Sequence, residues 1–173
     1  RSRYLPSRKK DQKVSEFTQT TSVGRINSLH PQLVGPALSV YNACIKDKIP
    51  LHIVWGQRSS EEQTTIYKYG RTVPGSILTT NRSGYSSHNY GLALDFCFYY
   101  DGRMQTWEHV QKAEWWRWMW IKVVKRFEEA GWMSGFRWEY NYEPGHVENL
   151  LGKTIGEWYI ANGKDRNNRN DYV

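Results

Sequence analysis

After Ser22, apolar residues recur at helical spacing through Leu38, Tyr41 and Ile45, and the pattern stops at Pro50. That period predicts one long amphipathic helix. LHIVWG, residues 51–56, reads as a short strand closed by Gly56. Ser59 or Ser60 followed by Glu61, Glu62 and Gln63 has the form of a helix start: a hydroxyl cap and early acids satisfy the first N–H groups. That helix runs to about Tyr69 and ends at Gly70. RTVPGSILTTNRSGYSS reads as loop, with turns at Pro74–Gly75 and Ser83–Gly84. LALDFCFYY, residues 92–100, alternates as a strand closed by a hairpin turn at Asp101–Gly102. Period two puts Ala93, Asp95 and Cys97 on one face and Leu92, Leu94, Phe96 and Phe98 on the other.

From about residue 108 to Gly131 a second long helical pattern carries a run of tryptophans, expected as a core stripe. FRWEYNYEPGHVENLLG has strand character, broken at Pro144–Gly145. The ends differ in texture. RSRYLPSRKKDQK is basic and poor in aliphatics, so residues 1–20 are expected to form a mobile basic arm without the apolar stretch of a signal peptide. Residues 161–173 form a polar tail, which leaves 21–160 as a single domain.

Composition sharpens two points. The 173 residues include 9 Trp and 12 Tyr, more than a core of this size ordinarily uses, which points to broad aromatic surfaces in the core or along a groove. The net charge of +7 attracts polyanions without choosing among nucleic acid, anionic wall polymer and anionic membrane. Cys44 and Cys97 are expected as two buried thiols, not a disulfide framework. No apolar run approaches the roughly 18 residues needed to cross a bilayer.

The candidate chemistry lies in SSHNYGLALDF, residues 86–96. An aspartate inside a buried strand needs a local reason, and a metal ion supplies one. A turn at Asn89 to Gly91 can carry His88 back over the start of the strand, where Asp95 presents its carboxylate and Ala93 leaves room. His146, beyond the Pro144–Gly145 break, can supply a third ligand, with Glu143 three residues before it. His30, His52 and His109 have no such company, and His52 is expected as a packed strand residue. On spacing alone a second account stays open: His88 and Asp95 as a hydrogen-bonded pair, with His146 on the surface.

The motifs favour the first account. GQRSSEEQTTIYKYGRTVPG, SGYSSHNYGLALDF and EPGHVE, in that order over about residues 25–150, resemble the M15 zinc peptidases, the DD-carboxypeptidase and L-alanyl-D-glutamate endopeptidase group. The subgroup holding phage endolysins is the nearest in pattern. Ser86, His88, Gly91, Ala93 and Asp95 meet its S-x-H-x-x-G-x-A-x-D pattern; Arg58, Ser59 and Gln63 meet R-S-x-x-x-Q. The resemblance implies an α+β fold in which helices pack on a small antiparallel sheet bearing the zinc site, as in hedgehog and DD-peptidase domains. It implies His88, Asp95 and His146 as Zn2+ ligands, Glu143 as catalytic base, and Arg58 as holder of a substrate carboxylate aided by Gln63 and Ser86. A planar guanidinium suits that task, because it grips a carboxylate bidentately. The subgroup commonly has Asp for Glu143, Pro for Gly145 and an aromatic after the last His, so this chain departs there.

The activity so implied is hydrolysis of peptidoglycan stem-peptide amides at the cell wall, between L-Ala and D-Glu or, in the alternative, at terminal D-Ala. A monomer is expected, with the arm drawn to anionic wall polymer. Two rivals stand beside this: a zinc-containing binding module without catalysis, which would have no use for Glu143, and a nucleic-acid binder stacking bases on tryptophans. The second leaves SSHNYGLALDF unexplained, and no nucleic-acid partner is expected.

Overall fold

The computed structural model describes residues 16–163; the residues before Glu16 in the expected arm and those after Gly163 in the expected tail lie outside it. The fold is α+β. Helices α1 (Glu16–Asn27) and α2 (Pro31–Lys46) precede strand β1 (Leu51–Trp55) and helix α3 (Ser60–Lys68). Then come β2 (Ala93–Tyr100), β3 (Arg103–Gln105), the short α4 (Trp107–Val110) and the long α5 (Glu114–Glu129). β4 (Met133–Ser134), β5 (His146–Glu148) and α6 (Ile155–Ala161) complete the order. Among the described residues no helix is long and apolar enough to cross a membrane.

β2 is the organising strand of an antiparallel sheet. β1 pairs along one edge; on the other, β5 takes the N-terminal half and β3 the C-terminal half, with β4 outside β5. The alternation read from the sequence holds. Leu94, Phe96 and Phe98 are buried, and Phe96 and Phe98 meet Trp120 of α5 at ring-centre distances of 4.8 and 5.1 Å. Asp101 and Gly102, both at positive φ, make the expected β2–β3 hairpin turn. The outer edge of β1 is covered by α1: the Ile53 N–H donates to Ser22 Oγ and the Ile53 carbonyl accepts from Arg25 Nη1. Ser22 also meets His52, a packed strand histidine as expected.

Three expectations need revision. Residues 16–20, assigned to the arm, lie in α1, where Thr18 is buried. The helix expected from Ser22 to Pro50 is two helices, because a proline disfavours helical geometry in the residue before it. His30 accordingly has ψ of 134° and caps α2, with Pro31 in the first turn, where its missing N–H costs nothing. The tryptophan helix is also broken, between Val110 and Glu114. Trp107 and Trp118 are eleven residues apart, about three turns, so a continuous helix would put both on one face. The break turns Trp107 inward onto Trp120 and Phe136, whereas Trp118 stays outside. The core stripe is therefore partial: Trp120 is buried, but Trp115 and Trp118 are 61% and 52% exposed and stack on each other.

Both cysteines are buried and unpaired, as expected. Burial raises the Cys44 thiol and pushes Cys97 up to about 12, so neither is a thiolate at neutral pH.

Candidate metal centre and cleft

Three separate segments deliver His88, Asp95 and His146 to one point. Asp95 sits mid-β2, and the register places His146 of β5 directly opposite it. Opposed residues of an antiparallel pair hold their Cβ atoms about 5 Å apart, so the two side chains meet with no loop needed. His88 lies in a single 3-10 turn, Ser87–Tyr90, that ends at Gly91 with φ of 67°. A Cβ at Gly91 would stand 2.7 Å from His30 N, so this left-handed turn takes glycine for space as well as conformation.

The distances are short. His88 Nε2 is 3.2 Å from Asp95 Oδ2, and His146 Nδ1 is 2.9 Å from Asp95 Oδ1. One ligand atom from each of the three residues lies within 4.8 Å of the others. His88 Nδ1 donates to the Gly56 carbonyl at 2.7 Å, which leaves Nε2 free to bind a cation. Two imidazole nitrogens and one carboxylate oxygen form a donor set that fits zinc with one position left open. Burial by itself would raise the Asp95 carboxyl, but His88 and His146 hold it well below the usual carboxylate range. Burial would lower His146, yet its bonds to Asp95 and Glu148 push it up to about 10.

Glu143 reaches the same point from the other side. Its Oε2 is 3.8 Å from His146 Nδ1. Burial, opposed by His146 and assisted by the Asp95 charge, raises its carboxyl above the ordinary value, the direction a proton acceptor near neutrality needs. The departure at Gly145 has a local cause. Its carbonyl accepts from Phe96 N–H at 2.8 Å, and a Cβ there would sit 2.5 Å from the Phe96 carbonyl oxygen. The glycine lets the chain lie flat on β2 just before His146.

Arg58 precedes α3, whose start is the expected capping box of Ser59 and Glu62. It is buried, lies 4.9 Å over the Trp55 ring, and points Nη2 at Asp95 Oδ2, 3.7 Å away. Its Nε has no partner. Gln63 is wholly buried, so it cannot touch a substrate directly. Its amide oxygen accepts from Arg58 Nη1 at 2.9 Å, and its amide nitrogen donates to the Asn81 carbonyl at 2.7 Å. Ser86 is nearly buried on the cleft wall. The cleft, of about 770 Å³, is framed by Trp55, Leu78, Tyr85, Trp107 and Trp138.

The sequence reading missed Glu148, which approaches His146 Nε2 at 3.4 Å. Period two along HVE would have placed it on the His146 face. His30, His52 and His109 stay away, as expected: the first caps α2, the second packs against Ser22, the third belongs to the Thr106 cap of α4.

A family model described as VanY, D-alanyl-D-alanine carboxypeptidase, matches residues 26–150. The chain belongs to the VanY family. Its relatives include the peptidoglycan L-alanyl-D-glutamate endopeptidase CwlK of Bacillus subtilis (strain 168), 32% identical over 135 residues, which span 72% of this chain and 75% of CwlK. Among solved structures, the LD-carboxypeptidase LdcB superposes with a TM-score of 0.54 at 19% identity, over 78% of this chain and 64% of that one. A vancomycin-resistance D,D-pentapeptidase VanY variant in complex with Zn(II) superposes with a TM-score of 0.50 at 15% identity, over 76% of this chain and 78% of that one. Likeness at such identities establishes a shared fold, the α+β arrangement expected for this VanY-family chain.

Proposed function

We propose that this VanY-family chain is a zinc-dependent peptidase that hydrolyses amide bonds in the stem peptides of peptidoglycan, acting at the cell wall. The observation that carries the reading is the convergence of His88, Asp95 and His146 with the Glu143 carboxylate beside them in an aromatic cleft. His88 would bind through Nε2, His146 through Nδ1 and Asp95 through a carboxylate oxygen. Bound zinc supplies a water acidified toward pKa of about 7 and a Lewis acid for the scissile carbonyl.

The chain's own groups do the remainder. Glu143, with its raised carboxyl, accepts the proton from the attacking water and returns it to the departing amine. Arg58 holds a substrate carboxylate; its guanidinium lines the cleft beside Asp95, and a fixed anchor lowers the entropic part of the barrier. Gln63 holds Arg58, and Ser86 lines the adjoining wall. A base beside the ligands has no purpose in a purely structural zinc site, which weighs against the binding-module rival.

Cleavage between L-Ala and D-Glu is the better-supported specificity, because CwlK, an endopeptidase for that bond, is 32% identical. Release of terminal D-Ala is the second reading, supported by the family's description. The test is digestion of purified peptidoglycan by zinc-loaded protein, with chelator-treated protein and Glu143→Gln as controls and mass spectrometry of the products. New L-Ala carboxyl and D-Glu amino termini are expected. Free D-Ala would move the chain to the carboxypeptidases, and unchanged peptidoglycan would remove the hydrolase reading.

A further inference from the structure

We infer that Glu148 is a positioning residue that fixes the tautomer and orientation of His146 and joins the His88 turn to the strand bearing His146. The inference rests on the metal-site reading above. β5 is three residues long, and its alternation sends Val147 into the core while His146 and Glu148 share the cleft face. The two ring nitrogens of His146 have different partners. Nδ1 faces Asp95 at 2.9 Å, and Nε2 faces Glu148 Oε2 at 3.4 Å. A nitrogen that binds a metal must give it a lone pair, so with Nδ1 committed to the point it shares with Asp95 the ring hydrogen lies on Nε2, where the Glu148 carboxylate accepts it.

His88 is arranged the same way with the nitrogens exchanged: Nδ1–H goes to the Gly56 carbonyl and Nε2 faces Asp95. Each ligand histidine thus has an acceptor behind it, a backbone carbonyl for one and Glu148 for the other. Glu148 has a second neighbour, the Ser87 hydroxyl, which acts on its carboxylate. Ser87 adjoins His88 in the 3-10 turn, so one carboxylate ties the turn to β5 and sets the spacing between the two rings. Glu143 stands on the Nδ1 side of His146 and Glu148 on the Nε2 side, which separates a proton-transfer role from a positioning one.

The test titrates Zn2+ against a chromogenic chelator and records the visible absorption of the Co2+-substituted protein. Wild type, Glu148→Gln, Glu148→Leu, Ser87→Ala and Glu143→Gln are compared. Loss of an outer acceptor lowers metal affinity about 10- to 100-fold. Glu148→Leu is expected to show that loss with an altered Co2+ spectrum. Glu148→Gln, which keeps an acceptor oxygen, should recover most of the affinity, and Glu143→Gln should bind as wild type. Should Glu148→Leu fail to fold, Ser87→Ala carries the test, with a several-fold weaker affinity expected. Wild-type affinity and an unchanged Co2+ spectrum in both Glu148→Leu and Ser87→Ala would overturn the inference. So would full Zn2+ affinity in Glu148→Gln accompanied by loss of turnover, since that would make Glu148 the base. Absence of metal binding in the wild type would sink the metal-site reading itself, a result distinct from these.

Discussion

Gln63→Leu isolates how Arg58 is held. Leucine nearly matches glutamine in volume, so the change deletes hydrogen bonds and leaves no large cavity. It removes the bond from Arg58 Nη1 at 2.9 Å, the bond to the Asn81 carbonyl at 2.7 Å and a weaker one to Thr79 Oγ1 at 3.4 Å. Gln63 is 0% exposed, so water cannot replace it. A buried carbonyl left without a donor costs about 1–3 kcal/mol, and a charged donor left without an acceptor costs more. Arg58 already has one unpaired nitrogen, so its loss falls at the upper end. Burying the leucine methyls returns about 1 kcal/mol. The net is a destabilisation of about 3–4 kcal/mol, or a drop in Tm of roughly 10 °C for a chain of this length.

The functional effect should separate from the structural one. A loosened Arg58 weakens the grip on the substrate carboxylate, so KM rises more than kcat falls, and kcat/KM drops about tenfold for each 1.4 kcal/mol of lost grip. Gln63→Glu is the informative companion. It keeps an acceptor for Arg58 but cannot donate to Asn81, and its charge competes with the substrate carboxylate. It should lose at least as much kcat/KM as Gln63→Leu while melting nearer the wild type. The assays are thermal unfolding by circular dichroism with and without chelator, and steady-state hydrolysis of a stem-peptide fragment. A Gln63→Leu protein melting within about 2 °C of wild type with unchanged kcat/KM would refute this account of Gln63.

Glu143→Gln should retain Zn2+ stoichiometry, read by elemental analysis, and lose at least 10²-fold in kcat, the scale of a positioned base. Gly91→Ala should lower Tm by 10 °C or more, because alanine is strained at φ of 67° and its Cβ meets the His30 backbone. Asp47 is held down at about 2 by hydrogen bonds from Lys122 and Arg126. A depressed carboxyl stabilises the fold above its ordinary value of 3.8, and that contribution fades as pH falls toward 2. Asp47→Asn should therefore flatten the stability profile between those limits and leave its shape at neutral pH unchanged. Cys44 and Cys97, both buried with raised thiols, should react with Ellman's reagent only after denaturant is added.

Much of the centre was legible because its signals are local. The alternation in LALDFCFYY fixed the face of Asp95, and the Ser59–Glu62 cap marked the start of α3 beside Arg58. Glu148 was not legible for the opposite reason. Three residues of β5 give too little alternation to announce a strand, and only pairing with β2 makes HVE one. Gln63 was read as a peptide contact; its burial depends on the loop at Asn81, eighteen residues away, folding over it. The break at Ser28–His30 was hidden because apolar residues continue in phase on both sides, and of the two prolines in the stretch Pro31 marks a helix start whereas Pro36 lies inside α2. Trp115 and Trp118 misled in the same way, since a run of tryptophans looks alike whether a face meets the sheet or water.

The covering of β1 by α1 bears on how the protein behaves when shortened. Ser22 and Arg25 occupy the N–H and carbonyl of Ile53, groups that would otherwise be open to another strand. A chain cut after Asn27 would keep all the residues of the cleft and still display a bare, apolar sheet edge running Leu-His-Ile-Val-Trp. Such an edge recruits copies of itself. A helix that contributes nothing to the chemistry is thus what keeps this peptidase domain dispersed, and a minimal version trimmed to the motifs alone would be expected to precipitate before it could be assayed.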